Sequence, residues 1–237
     1  MRTALVFVGG PHRRGHDGRV PPRGSPPLVH PGLVELDASG SEVVLGVAVD
    51  SGLHLAHAVD RWVDVVVGDM DSVDPTLLGS TGRTELVRHP RDKDATDLEL
   101  ALDLVLERRV DRGIERVVVV AADGGRLDHL IGGALTICAE KYSHLGIDAW
   151  LGGTRLVPVH PGNAARLRGR PGRVLSIMAV HGPATGVRTA GLRWPLDGER
   201  LDPGGSRGIS NEFLDDVADV SIDEGCVAVV LPDEEHS

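Results

Sequence analysis

The chain has 237 residues, 41% hydrophobic and 25% charged, and its 35 Asp and Glu against 25 Lys and Arg give a formal charge of −10. That aliphatic share fills a folded core and excludes a disordered chain, and the length suits two domains of ordinary size. The acidity argues against a nucleic-acid surface, which needs clustered Lys and Arg, but suits an ATP site where carboxylates hold a divalent cation against phosphate.

The run Ala4-Leu5-Val6-Phe7-Val8, ended by Gly9-Gly10, predicts a buried parallel strand. From Pro11 to Pro31 the density of Pro, Gly, Arg and His breaks every periodic pattern, which predicts a mobile loop able to close over a ligand. Val43 to Val49 is a second strand, ending at Asp50-Ser51-Gly52 before a helix over Leu53 to Val59. A third, Val63 to Val67, ends in Gly68-Asp69-Met70-Asp71-Ser72. A fourth, Glu85 to Arg88, leads to a helix from Asp97 to Arg109 whose apolar face is Leu98, Ala101, Leu102, Val105 and Leu106. The fifth, Arg116 to Ala121, ends in Ala122-Asp123-Gly124-Gly125-Arg126 and feeds a helix through Leu130, Leu135 and Ile137.

Strands alternating with helices predict a Rossmann-like parallel α/β domain over residues 1–150. Beyond it, Gly and Pro recur between short strands such as Val174 to Met178 and Val227 to Val230, which predicts an all-β, sandwich-like domain over 151–237. Cys138 and Cys226 have neither zinc nor redox-pair spacing and read as buried thiols in a reducing cytoplasm. The first apolar run is too short for a signal-peptide core or a membrane span, so no membrane partner is expected.

Three strand-end segments carry candidate chemistry, because ligands of open parallel sheets bind outside the carboxyl ends of the strands. Asp69 and Asp71, two apart, can share a hard cation, although Asp-x-Asp is also ordinary turn chemistry. In Lys93-Asp94-Ala95-Thr96-Asp97, Thr96 with Glu99 reads as a capping box. The cap leaves Lys93 and Asp94 unexplained; in the mouth of the sheet they suit phosphate and Mg²⁺. In Gly124-Gly125-Arg126-Leu127-Asp128-His129, two glycines before a helix let backbone amides approach phosphate and Arg126 adds a fork of donors, though a Gly-Gly turn is common without a ligand. Gly9-Gly10-Pro11 does not supply the Gly-x-Gly-x-x-Gly of a dinucleotide-binding dehydrogenase.

Together the three segments resemble the thiamine pyrophosphokinase family, whose catalytic half carries Gly-Asp-x-Asp-Ser, then Lys/Gln-Asp-x-Thr-Asp, then Gly-Gly-Arg-x-Asp-His in this order. Gly191-Leu192-Arg193-Trp194 and Ser210-Asn211 resemble the family's Gly-Leu-x-Trp and Ser-Asn segments, and the resemblance runs from about Val43 onward. It implies transfer of diphosphate from ATP to the thiamine hydroxyl, with Asp69, Asp71 and Asp97 as Mg²⁺ and phosphate-organising carboxylates and Lys93 beside them. It implies that Asp50, Asp94, Thr96, Gly124, Gly125, Arg126, Asp128 and His129 line the nucleotide site. Trp194, Ser210 and Asn211 would then take thiamine across a homodimer interface, although Trp194 is equally readable as a core aromatic. Ser51 stands where the family commonly has Gly, and Gly133 where it commonly has Asn; the 11–31 loop is longer than usual. These departures leave room for a pterin alcohol as acceptor, or for a non-catalytic binding or scaffold protein of the same fold.

Overall fold

The computed structural model describes residues 1–9, 29–80, 82–92, 94–122 and 126–233. Most of the predicted 11–31 loop therefore lies outside the described residues. The chain divides into two compact units, one of residues 1–130 with 149–152, the other of 131–148 with 153–237.

The first unit is built from β1 (Arg2–Val8), α1 (Pro31–Ala38), β2 (Glu42–Val49), α2 (Gly52–Ala58), β3 (Val65–Gly68), α3 (Pro75–Ser80), β4 (Glu85–Arg88), α4 (Asp97–Glu107), α5 (Arg109–Arg112) and β5 (Arg116–Ala121), and α6 (Leu127–Ile137) starts in it. Its strands are parallel and run β5-β1-β2-β3-β4. β1 to β3 and β5 are nearly continuous aliphatic runs, and Leu5, Phe7, Val66, Val118 and Val120 are buried with Leu36 and Trp150 in one core, as strands covered on both faces require.

The order reverses between β1 and β5: successive strands step outward from β1 to β4, and β5 returns to the other side of β1. Such a switch point opens a crevice at the carboxyl ends of the strands. Close backbone packing shapes it, since a Cβ on Gly52 would lie 2.1 Å from the Phe7 carbonyl oxygen.

α1 is a helix that the breaker-rich sequence conceals. Pro31 opens it at a position where the missing N–H costs nothing, and Leu33 and Leu36 bury its inner face. In α4, Thr96 Oγ1 accepts from the Glu99 N–H at 3.2 Å. That cap contributes about 1 kcal/mol. Burial of Leu98, Leu102, Leu104 and Val105 contributes about 1.5–3 kcal/mol per side chain, so packing rather than capping fixes where α4 lies.

The second unit takes the end of α6 and the start of β6 (Gly146–Leu151), whose residues 149–151 belong to the first unit, and continues through β7 (Thr154–Val159), β8 (Ala165–Arg168), β9 (Val174–Ala179), β10 (Ala184–Ala190), β11 (Asp197–Leu201), β12 (Asn211–Glu212), β13 (Val217–Ser221) and β14 (Val227–Leu231). β14 pairs antiparallel with β7 and β9, and β12 with β9. The second sheet runs β11-β10-β13-β8, also antiparallel. Alternating residues of the two sheets, including Leu167, Leu175, Ile177, Val187, Val220 and Val229, share one core, which makes the unit a β-sandwich. Among the described residues no helix is long and apolar enough to cross a membrane.

Candidate active site

β2 delivers Asp50 to the carboxyl end of the sheet, where it adopts the left-handed φ of 43°. Its N–H donates to the Val67 carbonyl at 3.0 Å, and its Oδ1 accepts from the Met70 N–H at 3.2 Å. Asp50 thus straddles the ends of β2 and β3. Asp97, first residue of α4, hydrogen-bonds the Asp50 carboxyl, and the Asp69 charge acts on the same group. Two carboxyls sharing a hydrogen bond need a proton between them. Burial first, then the Asp97 charge, push the Asp50 pKa up to about 6.

Asp69 accepts the Asp71 N–H on Oδ1 at 2.9 Å, closing a tight turn after β3. Asp71 itself is exposed, with the Arg91 guanidinium 3.9 Å away. Of the carboxylates selected from the motifs, Asp97 reaches Asp50 through a hydrogen bond and Asp69 acts on it through its charge, while Asp71 is exposed. Asp50, expected at the nucleotide rather than the metal, is the group on which both act. Its signal lies in the chain: like Asp69, it immediately follows a buried strand.

Asp94 and Thr96 are exposed at the start of α4, and Lys93, Gly124 and Gly125 lie outside the described residues. After that gap Arg126 is clasped by Asp128, its Nε donating to Oδ1 at 3.1 Å and its Nη2 to the second oxygen. The Arg126 bond holds the Asp128 carboxyl below its usual range. The Asp128 Oδ1 also accepts the His129 N–H at 3.0 Å, and Asp128 and His129 are both exposed.

One residue at this end of the sheet carries no motif. His30 is buried, and its Nδ1 accepts from the Gly32 N–H at 3.2 Å. Nε2 therefore carries the proton and donates to the Ala121 carbonyl at 3.2 Å. The neutral imidazole caps α1 and ties it to the carboxyl end of β5.

In the second unit, a pocket of about 400 Å³ is lined by Trp194 and by residues 206–211. The two segments that carry its aromatic and polar groups meet through Asn211. Its Oδ1 accepts from the Trp194 N–H at 3.1 Å and from the Glu212 N–H at 2.9 Å, and its Nδ2 donates to the Trp194 carbonyl at 2.7 Å. Asn211 is 2% exposed and has one donor position left; its carboxamide holds the Trp194 backbone. The indole is 44% exposed, with the Arg193 guanidinium 5.0 Å from its ring centre. Ser210 is exposed, with a φ of 55°, and its N–H donates to Ser176 Oγ at 3.1 Å. Arg207, which carries no motif signal, lines the same pocket and is held by both Glu199 oxygens at 2.8 and 2.9 Å.

A family model described as thiamin pyrophosphokinase, catalytic domain, matches residues 39–147, and one described as thiamin pyrophosphokinase, vitamin B1 binding domain, matches residues 165–227. The chain belongs to the thiamine pyrophosphokinase family. Solved structures with this fold include thiamine pyrophosphokinase from Bacillus subtilis, with a TM-score of 0.75, 20% identity, and coverage of 99% of this chain and 100% of that one. The enzyme from Geobacillus thermodenitrificans gives a TM-score of 0.73 at 23% identity over 99% of each chain. The one from Candida albicans gives 0.66 at 12% identity, over 98% of this chain and 90% of its own. Identities this low speak for the fold, which is the parallel-sheet unit and β-sandwich described above. Comparison with curated proteins gave no match. The family is one of kinase-type transferases of thiamine metabolism, and within this chain its catalytic model covers the carboxylate cluster while its vitamin-binding model covers the Trp194 pocket.

Proposed function

We propose that the chain is a Mg²⁺-dependent thiamine pyrophosphokinase that moves the diphosphate of ATP onto the thiamine hydroxyl and releases AMP. The observation that carries this reading is the Asp50–Asp97 hydrogen bond, under the charge of Asp69, at the carboxyl ends of the parallel strands.

These residues fit a divalent ion. Among the described residues no ready-made metal-binding group of three or more ligands closes on a point, yet Asp50 and Asp97 share a proton that a hard cation would displace, and both are oxygen donors of the type Mg²⁺ takes. Asp50, Asp69 and Asp97 would hold the ion, with Asp71 at the exposed edge. When bound, Mg²⁺ supplies neutralisation of phosphate charge. Lys93 meets the phosphate oxygens as a point charge, and Arg126, steered by Asp128, does so as a fork. Asp97 or Asp71 accepts the proton of the thiamine hydroxyl. Trp194 stacks on the cationic thiazolium, and Ser210 presents its hydroxyl to the polar edge of the vitamin. Asn211 acts through Trp194 and is a positioning residue.

The chain works as a homodimer with composite sites. What supports this is α6, on which Leu127, Ile131 and Leu135 recur every four residues and are 71%, 53% and 40% exposed. An apolar helical stripe of this kind is covered in the working assembly, and a second copy is the partner we infer. The substrates, and cysteines that are both free thiols, fit a cytoplasmic enzyme.

The test is AMP release from MgATP with and without thiamine, with product mass measured in parallel. AMP and thiamine diphosphate should appear together, in equal amounts. Release only with a pterin alcohol would reassign the acceptor, and ATP binding without any turnover would make the chain a binding protein of this fold.

A further inference from the structure

We propose that Cys138 and Cys226, the chain's two cysteines, form a peroxide-oxidisable thiol pair that closes as a disulfide inside the second unit. Neither the diphosphate transfer nor the Trp194 pocket uses these residues.

Their meeting follows from the fold. Cys138 directly follows α6, its N–H donating to the Leu135 carbonyl at 3.1 Å. Cys226 directly precedes β14, and the pairing of Val227 with Val159 sets it beside His160, the residue after β7. The Cys226 Sγ lies 3.7 Å from His160 Nε2. The Cys226 carbonyl accepts the Val180 N–H at 3.1 Å. The next residue, His181, reaches from the same turn to the Leu135 carbonyl through Nε2 at 2.8 Å. The end of α6, the 180–181 turn and the entry to β14 are therefore fastened around the two sulfurs, and the Cys138 thiol hydrogen-bonds the Cys226 sulfur.

A pair of small buried hydrophobes needs no imidazole. Here His160, itself 5% exposed, is packed against a sulfur inside the sandwich unit, which is the arrangement that supports a thiolate. The bond from Cys138 lowers the Cys226 pKa to about 5, with His160 and His181 adding to it against burial. Cys138, which gives its proton to that bond, is pushed up. The imidazole of His160, set against Cys226, marks Cys226 as the attacking sulfur and Cys138 as the resolving one.

The oxidant is a hydroperoxide. The Cys226 thiolate attacks one peroxide oxygen; an S–O bond forms, the O–O bond breaks, and the departing oxygen leaves as water with the proton held by His160. The Cys138 sulfur then attacks the Cys226 sulfenic sulfur; the S–S bond forms, the S–O bond breaks, and the second oxygen leaves as water with the Cys138 proton. Two thiols lose two electrons and hydrogen peroxide becomes two waters. Cys138 and Cys226 are 1% and 4% exposed, so the oxidant proposed for the pair is one as small as hydrogen peroxide. A resolving thiol already in contact intercepts the sulfenic acid before it oxidises further.

The experiment treats the full chain, reduced and freed of reductant, with hydrogen peroxide under native conditions. Intact mass, thiol count after unfolding, a cysteine peptide map and the melting temperature are read. Both thiols should disappear together with the loss of two hydrogens, one joined peptide pair should form, dithiothreitol should reverse it, and the melting temperature should rise because the bond closes a long loop. Cys138→Ser should stop at a sulfenic acid on Cys226 that dimedone traps, and Cys226→Ser should slow oxidation at Cys138 by at least about tenfold. Addition of oxygen without a joined peptide would overturn the proposal. So would thiols that stay unreacted until the chain is unfolded, or Cys138 oxidising as fast in Cys226→Ser as in the wild type.

Discussion

A Cβ on Gly68 would lie 1.8 Å from Oδ1 of Asp50, so the missing side chain at the end of β3 is what allows the carboxylate at the end of β2 to sit across it. The backbone agrees, since Gly68 has a φ of 145° that other residues rarely adopt. Gly68→Ala is expected to cost about 1–3 kcal/mol of stability through backbone strain and overpacking. It should also displace Asp50 from the cluster and weaken Mg²⁺ activation. Denaturant unfolding and a metal titration of activity check both effects. Unchanged metal dependence in a folded variant would separate Asp50 from the ion.

Asp50→Asn tests the cluster from the other side. A carboxyl that holds its proton more tightly in the folded chain than in the unfolded one withdraws stability as the pH rises between the two values. For Asp50 these are the ordinary 3.8 and about 6. Metal-free wild type should therefore lose stability relative to Asp50→Asn from pH 4 to 6 and hold level above it. At pH 7.5 the variant should melt at or above the wild-type temperature while turnover collapses. Thermal melts across that range in chelator are the measurement. A variant that is less stable at every pH would show that the carboxylate is structural.

The sequence made the parallel strands legible because their aliphatic runs are bounded by Asp and Gly, and β4 and β5 begin and end where the pattern puts them. α1 was hidden because Pro31, read as the last breaker of a loop, is instead the first residue of a helix capped by His30. Its signal was the spacing of Leu33 and Leu36 behind a proline. The convergence of Asp50 on Asp97 joins positions distant along the chain and depends on strand order, which local pattern does not encode. Asn211 is implied as a thiamine contact by the resemblance of Ser210-Asn211 to the family's Ser-Asn segment, and it does line the pocket. Only the fold reveals that its amide also holds the Trp194 backbone.

Asn211→Ala and Trp194→Ala should therefore separate. Removing the amide strips the part-buried Trp194 N–H and carbonyl of their partner, so Asn211→Ala should lower stability by about 1 kcal/mol and raise the thiamine KM. Trp194→Ala removes a half-exposed indole and should leave the melting temperature nearly unchanged. It should weaken thiamine use by about 1–2 kcal/mol, the scale of a desolvated cation–π contact, or about 5- to 30-fold, with ATP binding unaffected. Apparent KM values for each substrate, beside calorimetric ATP binding, make the comparison. Equal losses for both substrates would make Trp194 a packing residue.

The exposed stripe on α6 gives the last test. Ile131 is central in it, between Leu127 and Leu135, so Ile131→Glu places a charge where a second copy would dock. Burying an unpaired carboxylate costs far more than one apolar contact returns, and the variant should be monomeric by sedimentation with its fold intact. If the sites are shared between copies, the monomer should also lose thiamine turnover while still binding ATP. Mixing should then add a second line of support: inactive Asp97→Asn chains and inactive Trp194→Ala/Asn211→Ala chains, once exchanged, form hybrids with one intact composite site. Activity should return in the mixture toward a quarter of the wild-type value, roughly the statistical share of such sites. Proven chain exchange with no recovery would place each site within a single copy, and a dimeric Ile131→Glu would move the interface away from α6.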